Sequence, residues 1–185
     1  MNTPRLFGTL GLLLSLAATP ALGQHAQTRE GFWFGVGMGV GSLGCSECGG
    51  DRTNGASGYL KLGGALNPHL LLGVETNGWY KSESGVSLTQ GNLSGAAYWY
   101  PSLNSGFFAK AGLGYAQLRA DTGFGSGTTS GFGVLAGLGY DFRIGGNTSI
   151  TPVANWFRGS FDGGSSDVFQ LGLGLTLHSP ARNAR

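Results

Sequence analysis

The sequence predicts an all-β fold: eight antiparallel strands in up-and-down order, closed into a transmembrane barrel. Three observations carry that prediction. First, apolar and small residues alternate along most of the chain, as in GFWFGVGMGVGS from Gly31 to Ser42. A period of two marks strands rather than helices. Second, the chain holds 37 glycines and only 11% charged residues, yet its mean hydropathy is just +0.03. Third, the connectors between alternating segments are expected to alternate between short and long.

The strands follow in order. After Gly31–Ser42 comes Tyr59–Leu66, with Leu60, Leu62 and Leu66 opposing Tyr59, Lys61, Gly63 and Ala65. Leu72–Tyr80 sets Leu72, Val74 and Thr76 against Gly73, Glu75, Asn77 and Trp79. Val86–Tyr100 changes parity, with Val86 and Leu88 on one side and Leu93, Ala97 and Trp99 on the other; a bulge is expected near Gln90–Asn92. Phe107–Tyr115 and Phe132–Phe142 alternate cleanly. Ser149–Phe157 contains Pro152, which has no N–H to donate and should mark a weak point of the ladder. Phe169–Leu177 closes the series. Asn67–His69, Pro101–Gly106 and Gly145–Asn147 read as short turns. Gly41–Gly55, Lys81–Gly85, Arg119–Gly131 and Arg158–Asp167 read as the opposite, more elaborate end.

Ahead of the strands, residues 1–23 read as a secretory signal peptide: a positive start, an apolar run from Leu6 to Ala18, and Ala21-Leu22-Gly23 at cleavage spacing. Residues 24–30 are a short periplasmic segment, 31–178 the barrel and 179–185 a polar tail. No later run reaches the ~20 apolar residues of a spanning helix. The composition is not that of a disordered chain or a collagen. The formal charge of +2 is too small and scattered for nucleic acid.

A water-soluble sheet puts one apolar face on a core and a polar face in water. Here the second face is mostly glycine and alanine. Turned inside out, the pattern fits: the apolar face meets lipid, and the small face lines a narrow lumen. Eight strands leave room only for side chains, and the inward glycines make space for Trp33, Tyr59, Trp79 and Phe108. Aromatic belts are expected at both membrane boundaries. One comprises Phe32, Trp99, Tyr100, Phe107, Tyr140 and Phe142; the other, Tyr80, Tyr115, Phe132, Trp156 and Phe169. A secreted barrel of lipocalin type would need the reverse polarity.

The segments GFWFGVGMGVGS, FAKAGLGY, VLAGLGYDFRI and VFQLGLGLTLH resemble the outer-membrane β-barrel family of Gram-negative bacteria, in particular its small eight-stranded OmpA-like and OmpX-like members. The resemblance spans Gly31 to His178. It implies residence in the bacterial outer membrane, contact with outer-membrane lipid and lipopolysaccharide, and delivery by the barrel-assembly machinery. No nucleic-acid partner and no cofactor are implied, and a monomer is expected. Such barrels usually end on an aromatic residue, whereas here Leu177-His178 leads into the tail.

Five charged residues fall on the inward parity: Lys61, Glu75, Lys110, Asp141 and Arg143. Charges in a narrow lumen must be paired or hydrated. The expectation is a plug, with Glu75 against Lys61 or Lys110 and Asp141 near Arg143. The alternative is the lining of a narrow pore for small solutes. Cys45 and Cys48, in a CxxC of the first loop, are expected to form a local disulfide in an oxidising compartment. Metal or thiol-redox chemistry is the other reading of that motif. His178-Ser179 raises a lipid-modifying enzyme as a further alternative, without an evident carboxylate partner. The chain is therefore expected to be non-enzymatic, with no catalytic, cofactor or metal residues, serving membrane integrity or surface contact.

Overall fold

The computed structural model describes residues 29–46 and 51–179. The signal peptide, Cys48 and nearly all of the polar tail lie outside them. Every regular element among the described residues is a strand: β1 (Phe32–Cys45), β2 (Thr53–Asn67), β3 (Leu70–Glu83), β4 (Val86–Trp99), β5 (Phe107–Asp121), β6 (Ser126–Tyr140), β7 (Phe142–Gly145), β8 (Thr148–Phe161) and β9 (Gly164–His178). Strands β6 and β7 are two parts of one stave, so the architecture is a closed eight-stranded antiparallel barrel. Closure is made by β1 against β9, from Trp33↔His178 to Cys45↔Ser166. The start of β1 and the end of β9 therefore lie at one mouth, the terminal end. The other mouth is the distal end.

The break between β6 and β7 has a local cause. Gly139 pairs with Val153 and Phe142 with Ile150, so the register is the same on either side. The gap faces Thr151 and Pro152, and Pro152 has no N–H for the ladder.

Two expectations are corrected. Strand β4 has no bulge near Gln90–Asn92: its pairing with β3 runs unbroken from Leu70↔Trp99 to Glu83↔Val86. The change of parity reflects chemistry, not geometry. Leu88 points inward against the core while Gln90, Asn92 and Ser94 occupy the inward positions beyond it. The long distal connectors also shrink. Polar segments such as Ser126–Gly131 pair fully with β5, because ladder hydrogen bonds do not depend on hydropathy. What remains is Ser84-Gly85, residues 122–125, Asp162-Gly163 and the connector after Cys45. Ser84 and Gly85 have φ of 51° and 80°, the left-handed pair that a type I′ hairpin requires.

The outward face gives the membrane level. On β5 it is apolar from Phe107 to Tyr115 and then turns to Gln117, Arg119 and Asp121. That run matches the ~9–11 residues a tilted strand needs to cross hydrocarbon. Met38, Leu113 and Leu171 are 76%, 62% and 64% exposed, an apolar surface suited to lipid rather than water.

Inside, Trp33, Tyr59, Trp79 and Phe108 are all buried. The glycines let these rings lie flat on the wall. A Cβ on Gly37 would stand 2.5 Å from the Tyr59 ring. On the outward face, a Cβ on Gly78 would meet nothing within 4 Å. Gly37→Ala should therefore lower unfolding stability by about 1–3 kcal/mol through overpacking, while Gly78→Ala leaves it unchanged. Urea titration of the refolded protein, read by tryptophan fluorescence, measures both. Equal midpoints would remove this account of the inward glycines.

Candidate functional site

The lumen is the site, and it is built in layers. At the terminal end, Arg29 precedes β1 and turns inward, only 1% exposed. Its Nη2 donates to the Ser105 carbonyl at 2.6 Å, and its guanidinium lies 3.8 Å from the centre of the Tyr100 ring. Burial lowers its pKa, opposed by the nearby Tyr100 and Asp141. Tyr100 donates to Asp141 Oδ2 at 2.8 Å, and Thr151 Oγ1 donates to Asp141 Oδ1 at 2.6 Å. Thr151 and Thr176 share a hydroxyl contact at 2.9 Å. His69, in the β2–β3 turn, sets its Nδ1 2.7 Å from the Tyr100 carbonyl.

This layer corrects the placement of Tyr100. It is not a belt residue but is 1% exposed inside the lumen. Alternation carries past the end of β4: Trp99 points out, so Tyr100 points in. The other expected belt residues lie on outward parity. Phe32, Trp99, Phe107, Tyr140 and Phe142 ring the terminal end; Tyr80, Tyr115, Phe132, Trp156 and Phe169 ring the distal side.

The central layer holds the charges. Glu75 and Lys110 form an ion pair at 2.5 Å with both side chains fully buried, and Lys110 also donates to Glu75 Oε2 at 2.7 Å. Tyr98 donates a short hydrogen bond to the same oxygen. Lys61 faces Glu75 across the β2–β3 ladder, but the carboxylate turns to Lys110 on β5. Lys61 instead lies against aromatic faces, with Nζ 4.9 Å from Phe108 and 5.6 Å from Trp33 and Tyr98. Cation–π attraction takes the place of a counter-ion there. Trp33 meets Tyr98 edge-on at 4.7 Å between centroids. Arg143, on β7, is only half-buried, nearer the rim.

Above the charges sits an amide layer. Asn155 Nδ2 donates to Gln170 Oε1 at 2.9 Å and to Asn77 Oδ1 at 3.2 Å. Ser94 donates to Asn92. Several buried atoms here, including Asn77 Nδ2, Asn92 Nδ2, Asn155 Oδ1 and Gln170 Nε2, have no hydrogen-bond partner among the described residues. Polar atoms in that position call for water. Higher still, a cavity of about 290 Å³ opens at the distal mouth, lined by Cys45, Leu118, Thr129, Phe161 and Ser166.

Cys45 ends β1 and is not a free cysteine; Cys48 lies outside the described residues. Among the described residues no group of three or more His, Cys, Asp and Glu side chains gathers as a metal site would need. The amides, Tyr98 and Tyr100 were all readable by extending strand parity inward. Arg29 carries no such signal, because it precedes the first strand.

With this geometry in view, comparison with known proteins is informative. The model of the outer membrane protein beta-barrel domain matches residues 12–176. Neisserial surface protein A has a similar crystal structure, with a TM-score of 0.65 at 15% identity, covering 80% of this chain and 97% of that one. Ail, the attachment invasion locus protein of Yersinia pestis, gives 0.54 at 16% identity, covering 80% and 99%. A second Ail structure holds the heparin analogue sucrose octasulfate. At these identities the likeness concerns the fold. No curated protein matches the chain.

The central ion pair makes a prediction. Glu75→Ala leaves the Lys110 ammonium buried without its carboxylate, which costs about 3–5 kcal/mol. Asp121→Ala breaks a pair whose side chains are 55% and 46% exposed and should leave the urea midpoint unmoved. Combining Glu75→Gln with Lys110→Met should recover most of the loss. A Glu75→Ala midpoint equal to wild type would show that the pair does not hold the lumen together.

Proposed function

Because the chain belongs to the outer membrane protein β-barrel domain family and resides in the bacterial outer membrane, we propose that it is a non-enzymatic, non-conducting barrel that reinforces that membrane. The observation that carries this reading is the filled lumen. Arg29 over Tyr100, the Trp33–Tyr98–Phe108 aromatics around Lys61, and the Glu75–Lys110 pair occupy successive levels. Eight-stranded barrels are just wide enough for such filling. The amide layer takes up water from the distal side, and the charged and aromatic layers stop it. The terminal end faces the periplasm, as befits its Pro68-His69 and Gly146-Asn147 turns.

The distal surface supports a role in membrane integrity over capture of a sulfated polysaccharide. Among the described residues three of its cations pair with acids, Arg52 with Asp167, Lys81 with Glu83 and Arg119 with Asp121, and Arg158 faces Asp167 across the β8–β9 ladder while donating to Ser165 Oγ. Asp51 and Asp162 add further negative charge. A surface so balanced offers no basic patch to a polyanion. A Cys45–Cys48 disulfide closes the first connector, a reading supported by Cys45 not being a free thiol.

Planar-bilayer recording tests the proposal. Refolded protein that migrates differently on gels before and after boiling should give no single-channel steps. Reproducible steps, altered in size by Lys110→Glu, would make the chain a narrow porin instead.

A further inference from the structure

The cavity of about 290 Å³ at the distal mouth lies inside the bore. Cys45, Leu118, Thr129, Phe161 and Ser166 line it, each on inward parity. Its floor is closed. Gln90, fully buried, crosses the bore beneath it and donates through Nε2 to the Ser166 carbonyl at 3.4 Å. Its walls are apolar, made by the Leu118 side chain, the Phe161 ring and the Cys45 sulfur. A Cβ on Gly159 would run into the Phe161 ring. That ring therefore lies flat along β8 and turns a face to the cavity.

Asp162, in the β8–β9 turn, is the one charged side chain among the residues lining this cup. It is exposed and makes no ion pair among the described residues. The cations of this end are engaged elsewhere. Lys81 pairs with Glu83 at 2.6 Å. Arg119 and Arg158 lie on outward parity, and Arg52 lies against the outward-facing Phe169 ring, 4.9 Å from its centre. The cup thus combines an aromatic face, apolar walls and an uncompensated negative charge at its rim.

We propose that this cup captures a small organic cation, an ammonium group carried on an apolar body. The face of an aromatic ring attracts a cation, most strongly where water is excluded. The Asp162 carboxylate attracts the same charge and repels an anion, while a neutral solute leaves it unused. The size also fits. An apolar cavity of about 150 Å³ holds benzene, so this one takes a single ring together with its ammonium head. The filled layers below keep the cation at the mouth; that last step rests on the reading of the lumen as closed.

Isothermal titration calorimetry tests the site, with phenyltrimethylammonium as the probe and the full chain refolded in uncharged dodecyl maltoside. Saturable one-to-one binding is expected, weakened by about 0.5 M salt. Benzenesulfonate, similar in size and opposite in charge, should not bind. Tetramethylammonium, which lacks the ring, should bind more weakly. Asp162→Asn should lower affinity about three- to tenfold and remove most of the salt dependence; Asn suits a two-residue hairpin as well as Asp does. Phe161→Leu, which keeps the wall apolar without a ring face, and Thr129→Phe, which fills the cup, should weaken binding too. Asp121→Asn, at the outward-facing end of β5, should not. Heat-dependent gel migration confirms that each variant is folded. No binding by the wild type, equal affinity for benzenesulfonate or tetramethylammonium, wild-type affinity in any cup variant, or an equal loss in Asp121→Asn would overturn the site. Channel steps in a planar bilayer would overturn the closed lumen and leave this binding result in place.

Discussion

A backbone amide in hydrocarbon has no water to turn to, so every ladder in the membrane must close on itself. The pairing of β1 with β9 meets that demand, and much of the rest follows from it. Closing only eight staves fixes a narrow bore. A narrow bore must be filled by side chains, and filling it with large rings forces small residues onto the facing wall. The glycine content that looks improbable for a strand protein is the counterpart of Trp33, Tyr59, Trp79 and Phe108 inside. The grease that looks misplaced on the outside is the surface that lipid requires.

The same bore explains the polar interior. Lumen positions are as buried as a protein core, yet they hold lysines, a glutamate, an aspartate and several amides. Each charge is met locally: Lys110 by Glu75, Lys61 by aromatic faces, Asp141 by the Tyr100 and Thr151 hydroxyls. Such pairs add little net stability over an apolar filling, but removing one partner is costly. They hold particular staves in place, since β3 grips β5 through Glu75 and Lys110 with β4 supplying Tyr98 between them. The amide layer nearer the distal mouth is less fully matched, which agrees with water reaching it from that side.

Strand number, order and facing were legible in the sequence because the apolar band imposes period two on each stave. What failed to read lies where that band ends. Ser126–Gly131 and Arg119–Asp121 looked like loop because their outward side chains are polar, yet their backbones pair as well as any. Tyr100 looked like a belt residue because aromatics at a strand end usually are; its parity with Tyr98 already pointed inward. Strand β4 looked bulged because Leu88 and Leu93 disagree in parity, although an inward leucine is ordinary in a filled bore. The choice of Lys110 over Lys61 as the partner of Glu75 could not be read at all. It depends on which side chains meet across the bore, a distance that adjacency on a ladder does not encode.

Arg29 has a consequence for assembly. It leaves the chain just ahead of β1 and reaches the Ser105 carbonyl and the Tyr100 ring, in the connector after β4. Ser105 lies in the connector between β4 and β5, three to four staves round from β1 in an eight-stave cylinder, so this side chain is a crossbar over the mouth. A crossbar can be set only when both of its posts are standing. Arg29 can therefore dock only after β4 and the connector behind it have formed, so the mouth is barred only once that part of the wall has been raised.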